Sequence, residues 1–190
     1  MGITRALALA TVTGLYGTIV ANTTWTRPQW ELAFKTVPNV ATSNVPVWDV
    51  NHEQLAPSNI PALMSALRAN NRYIICYVNV GSLDTPGEFF LDIRRNETRA
   101  LVKARLQRMA SYGCHAIEPD NLDSYSFSNG FGLTVNDAMD YMSWVAASVH
   151  DLGMAVGLKN CGDLVTPYNV PGAHVRVRCR RVLRRIPGQL

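Results

Sequence analysis

The run YIICYVNV, from Tyr73 to Val80, constrains the fold more than any other stretch of the sequence. It is nearly continuous in apolar residues instead of alternating, so both of its faces must be covered, as happens to central strands of parallel sheets. Parallel neighbours need long crossovers, usually helices, and the flanking sequence supplies them. Val45 to Val50 is a short β-rich run, and the spacing of Ile60, Leu63, Met64 and Leu67 predicts a helix over Ser58 to Asn70. After the apolar run a second helix is expected, with Asn96 as its cap, Val102, Leu106 and Met109 on one face, and Gly113 at its end. A strand over Cys114 to Glu118 leads into the polar loop PDNLDSYSFSNGFG. Thr134 and Asp137 then resemble a capping box before a helix carrying Ala138, Tyr141, Met142, Val145, Val149 and Leu152 at helical spacing. Gly153 stops that helix, MAVGLK is the next strand, and Trp30 to Phe34 is a further strand upstream.

Five strands joined by at least three helices make an α/β chain with a parallel sheet, closed either as a barrel or as a doubly wound open sheet. A complete eight-unit barrel takes about 250 residues, and this chain has 190. A barrel here is therefore incomplete, with about five of eight strands.

The ends differ from the middle. Residues 1–21 combine Arg5, an apolar run from Ala6 to Val20 and small residues before Ala21, the pattern of a secretory signal peptide. Secretion would make Asn22 and Asn96, each in an Asn-X-Thr tripeptide, glycan acceptors. Residues 22–168 form the globular domain. The segment 169–190 carries Arg176, Arg178, Arg180, Arg181, Arg184 and Arg185 without an acid, so the formal charge of +4 for the whole chain becomes −2 once these six are set aside. That tail lacks the interleaved aromatics of a nucleic-acid module and reads as disordered or misframed. Neither nucleic acid nor membrane is expected as a partner. The cysteines Cys76, Cys114, Cys161 and Cys179 contain no CxxC pair, so neither zinc nor dithiol chemistry is indicated. Cys76 and Cys114 read as small buried residues rather than a bridge.

In both parallel closures function gathers at the C-terminal ends of the strands. Those ends carry Asp49, then Asn79, Gly81 and Ser82, then Glu118, Asp120, Asn121 and Asp123, then Lys159 and Asn160. Carboxylates, amides and a lysine delivered to one rim suit a polar ligand. No glycine-rich phosphate loop accompanies them, and the four histidines show no metal-ligand spacing. No cofactor and no metal are expected.

The segment GCHAIEPDNLDSY, preceded by ICYVNVGS and followed by LTVNDAMDYMSWVAASVHDLGMAVGLKN, resembles glycoside hydrolase family 114. That family consists of secreted endo-α-1,4-polygalactosaminidases on a TIM-type barrel. The resemblance spans roughly residues 29 to 168 and rests on Trp30, Asp49, Cys76 to Ser82, Glu118 to Tyr125 and Val156 to Asn160, in order. It implies that Asp120 is the catalytic carboxylate and that Asp49, Tyr77, Ser82, Glu118, Asn121, Asp123, Tyr125, Lys159 and Asn160 surround the sugar. It further implies a monomeric, extracellular enzyme acting on a galactosamine-containing polysaccharide through paired carboxylates. The family's second acid lies in an NEEC-like segment that has no counterpart here, and a family stretch is missing after Ser82, so the chain resembles a truncated copy with impaired catalysis. The alternative is a noncatalytic carbohydrate-binding remnant.

Overall fold

The computed structural model describes residues 29–83, 89–161 and 164. It contains five strands, β1 (Trp30–Ala33), β2 (Val47–Val50), β3 (Tyr73–Asn79), β4 (Ala116–Asp120) and β5 (Ala155–Val156). Three α-helices connect the later strands: α1 (Ile60–Ala69), α2 (Asn96–Tyr112) and α3 (Val135–Asp151). The strand order is β1-β2-β3-β4-β5 with every pair parallel. A doubly wound sheet reverses its order at a switch point. This one never does, so the arrangement is an arc of a β/α barrel. The expected signal peptide and basic tail lie outside the described residues.

Side-chain alternation divides the sheet. Trp48, Val50, Ile74, Cys76, Val78 and Ile117 point to the helical layer and are all at most 1% exposed. There they meet the faces expected of α1 and α2, namely Ile60, Leu63, Met64 and Leu67, then Val102, Leu106 and Met109. The opposite, inner face carries Asp49, Ile75, Tyr77, Asn79, Glu118 and Asp120, with Asp49 beside Ile75, Tyr77 beside Glu118 and Asn79 beside Asp120. Apart from Ile75, the apolar residues named here face the helices and the polar ones the inner side of the arc.

Several local features differ from the sequence expectation. Asn96 is the first residue of α2 and does not cap it; Arg95, with extended backbone, occupies the cap position. Gly113 ends α2 in the left-handed conformation at φ 82°, as its position suggests. The capping box forms as expected, the Thr134 hydroxyl accepting from the Asp137 amide while the Asp137 carboxylate accepts from the Thr134 amide. Strand β4 runs two residues further than Glu118, because Asp120 still pairs with Asn79 and its carbonyl accepts from the Val80 amide at 3.1 Å. Strand β5 is shorter than MAVGLK: the ladder stops once the Gly157 amide has reached the Ile117 carbonyl at 2.9 Å.

Cys76 and Cys114 are joined by a disulfide, with Cα atoms 5.9 Å apart, which corrects their reading as separate buried thiols. The reason is topological. Cys76 points outward from β3, and Cys114 lies in the turn entering the neighbouring strand β4, so residues 38 apart in sequence meet. Cys161 is buried.

Candidate active site

Strand β4 places Glu118 and Asp120 on the inner face of the arc at its C-terminal rim, two residues apart and therefore on the same side. Four donors converge on Asp120. The Tyr77 hydroxyl donates to Oδ2 at 2.8 Å and the Asn121 backbone amide to Oδ1 at 2.9 Å. Lys159 Nζ lies 3.3 Å from Oδ2, and Asn160 Nδ2 donates to Oδ1 at 3.3 Å. Lys159 also pairs with Glu118 Oε2 at 3.4 Å and sits over the Tyr77 ring, 4.7 Å from its centroid. One cation thus bridges two carboxylates and an aromatic face. Charge-assisted bonds of this kind fix the orientation of the carboxylate.

Lys159 and Asn160 reach Asp120 because the chain turns sharply once β5 ends, with Asn160 at φ 66°, a left-handed conformation that asparagine tolerates. Asn121 is left-handed as well, at φ 60°, which folds its amide back onto the preceding side chain.

Ser82 and Asn121 brace the rim. Asn121 Nδ2 donates to Asn79 Oδ1 at 3.0 Å and to Ser82 Oγ at 2.7 Å, while Asn79 Nδ2 donates to the same hydroxyl at 2.9 Å. Ser82 is 1% exposed. The network leaves room for nothing larger than hydrogen at residue 81: a Cβ on Gly81 would stand 1.7 Å from the Asn121 carbonyl oxygen. Tyr77 is also buried, and its ring is shared between Lys159 and Phe34, whose centroid is 5.0 Å away. Tyr125 packs against the hydrophobic core. Asp123 precedes the short 3-10 turn Ser124–Ser126, where its carbonyl accepts from the Ser126 amide at 2.9 Å.

Asp49 occupies the same inner face but is 0% exposed. Neither carboxyl oxygen receives a hydrogen bond from the described residues. Burial, then the charge of Glu118, push its pKa up to about 8, with Lys159 opposing and Asp120 adding to the rise.

Arg105, which the sequence reading did not single out, holds the rim from outside. Its guanidinium donates to the Asn79 carbonyl at 2.6 Å and pairs with both carboxylate oxygens of Glu53. The available signal was its position on α2 directly before Leu106, on the margin of the buried stripe.

The fold agrees with that of known proteins. The family model for glycoside-hydrolase family GH114 matches residues 84–178, so the matched span takes in the first part of the arginine-rich segment. No curated protein matches in sequence. Among solved structures, Aspergillus fumigatus Ega3 in complex with galactosamine superposes with a TM-score of 0.64 at 25% identity, covering 73% of this chain and 62% of that one. The glycoside hydrolase domain of PelA from Pseudomonas aeruginosa superposes with a TM-score of 0.56 at 15% identity, covering 75% of this chain and 63% of that one. The chain therefore spans a little under two thirds of the length of each.

Proposed function

The chain belongs to glycoside hydrolase family 114, and from that premise we propose that it is a secreted endo-acting glycosidase that cleaves a galactosamine-containing polysaccharide, with Asp120 as its catalytic carboxylate. The observation that carries this reading is the set of four donors on Asp120, at 2.8 to 3.3 Å, at the strand-end rim of a β/α barrel arc. Glycoside hydrolysis passes through an oxocarbenium-like transition state flanked by two carboxyl groups, one charged and one protonated. Asp120, held in place by these donors, supplies one of the two to the anomeric carbon. Glu118 and Lys159 frame the same cleft, each about one-quarter exposed at the side chain.

Substrate class follows from charge and from the relative bound to galactosamine. Two carboxylates, Glu118 and Asp120, face a single lysine. A sugar carrying a free amine brings the cation that such a site lacks. Export is supported by residues 1–21 and by the Cys76–Cys114 disulfide, a bond that persists in oxidising compartments. No helix of the described residues is long and apolar enough to cross a membrane.

The test is release of reducing ends from partly deacetylated α-1,4-polygalactosamine. The wild-type chain is expected to release them, and Asp120→Asn to lower the rate by about 10³-fold or more, as loss of an essential catalytic group does. Retention of the polymer without any release by the wild type would replace this reading with the noncatalytic one.

A further inference from the structure

Beneath the helical layer, on the outer face of the sheet, three metal-ligating side chains meet that the chemistry above does not use. His52, Cys76 and Cys114 are all buried, and a donor atom of each lies within 4.8 Å of the other two. They come from separate segments, the turn after β2, the middle of β3 and the entrance to β4, so no local spacing announces them. The imidazole is fixed from several sides. Asn51 Oδ1 accepts from the Glu53 and Gln54 amides at 3.0 and 3.3 Å, which shapes the turn that carries His52. The ring stacks on Tyr112 with centroids 5.1 Å apart, and Nε2 stands 3.3 Å from the Met64 sulfur. A surface cavity of about 290 Å³, lined by His52, Ile60, Met109 and Tyr112 among others, reaches the imidazole from solvent.

In the oxidised chain the two sulfurs are bonded to each other. A newly made chain carries thiols at both positions until an oxidant joins them. We propose that the reduced chain binds one zinc ion through Cys76 Sγ, Cys114 Sγ and a ring nitrogen of His52, with the Met64 thioether beside the fourth position. Donors around a tetrahedral zinc stand about 3.5–4 Å apart, given bonds of about 2.0–2.3 Å. Side-chain adjustment brings the three to that spacing once no sulfur–sulfur bond holds two of them together. Charge selects the ion. Thiolate and thioether sulfurs suit zinc or monovalent copper. Two thiolates cancel a divalent charge, whereas a monovalent ion would leave a net negative charge buried without a partner, which is costly. On binding, each thiol gives its proton to solvent, so two protons leave as one zinc enters. Zinc and the disulfide exclude each other, and both link the same two positions 38 residues apart. The ion thus ties β3 to the entrance of β4 before oxidation does so. This inference does not depend on the glycosidase reading.

The experiment uses the full chain, reduced with a phosphine, which becomes a phosphine oxide by taking oxygen from water while the two water protons go to the thiols. Zinc is then added and its content measured after gel filtration. The reduced wild type is expected to keep one zinc per chain and the oxidised wild type none. With free zinc held at about 100 times Kd, the folding constant of the reduced chain should rise about 100-fold. A chain carrying Cys161→Ser and Cys179→Ser should still hold one zinc. Cys76→Ser, Cys114→Ser and His52→Phe, the last keeping a ring against Tyr112, should each lose it. X-ray absorption at the zinc edge of the reduced wild type checks the same point without any substitution: two sulfurs at about 2.3 Å and an imidazole nitrogen at about 2.0 Å are expected. Absence of zinc from the reduced chain overturns the proposal, as does zinc kept by any of the three ligand variants or kept equally by the oxidised chain. A shell of three or four short sulfurs also overturns it, since Cys161 or Cys179 would then be a ligand.

Discussion

Removing the Tyr77 hydroxyl takes the 2.8 Å donor from Asp120 and leaves Lys159, Asn160 and the Asn121 amide in place. A hydrogen bond to a charged group contributes roughly 1.5–3 kcal/mol, so Tyr77→Phe is expected to cut turnover about 10- to 100-fold. The ring stays in its slot between Phe34 and Lys159, so the melting temperature should change little. Equal loss of turnover and stability would show that the hydroxyl serves the fold and not the carboxylate. At this scale the sequence was informative about residue type and rim, since Asp49, Glu118, Asp120, Lys159 and Asn160 could all be read off strand ends. Burial was not legible. Asp49 and Ser82 look like any polar strand-end residue until neighbouring strands close over them, at 0% and 1% exposure. That depends on packing from β1, β3 and β4, which no local pattern encodes.

Strands β3 and β4 reach the rim together, and what locks them is Gly81. Its missing side chain lets the Asn121 carbonyl approach to where a Cβ would be 1.7 Å away. Backbone cannot yield as a flexible side chain would, so Gly81→Ala is expected to destabilise the chain by about 1–3 kcal/mol, the range for overpacking. The displaced Asn121 also carries the amide that donates to Asp120, so activity should fall further than stability predicts. Urea unfolding together with reducing-end release checks both parts; an unchanged midpoint would contradict the close approach. The helices were the most readable elements, because their buried stripes repeat at helical spacing and α3 announces itself with a capping box. Strand ends were less so. The motif EPDN looks like the start of a polar loop, yet Glu118, Pro119 and Asp120 belong to β4, since pairing with Tyr77, Val78 and Asn79 continues to the carboxylate itself.

For the whole molecule, the disulfide ties β3 to the entrance of β4 across 38 residues and encloses α2. Closing a loop of that length contributes about 4 kcal/mol in the chain-entropy account. Replacing both Cys76 and Cys114 with serine should therefore lower the unfolding free energy by several kcal/mol, and a dithiol reductant should bring the wild type down to the variant. No difference between oxidised and reduced chain would deny the bond its role. The pairing was invisible in the sequence because it follows from which strands are neighbours, whereas the parallel α/β architecture was visible through the unbroken apolar character of β3.

The strand order β1-β2-β3-β4-β5 has a further implication. Among the described residues each strand docks on the one synthesised just before it. A nascent chain can lay down the arc progressively as it leaves the ribosome, with short-range contacts setting the pace. The carboxylate rim is then completed last, when the turn bearing Lys159 and Asn160 reaches Asp120.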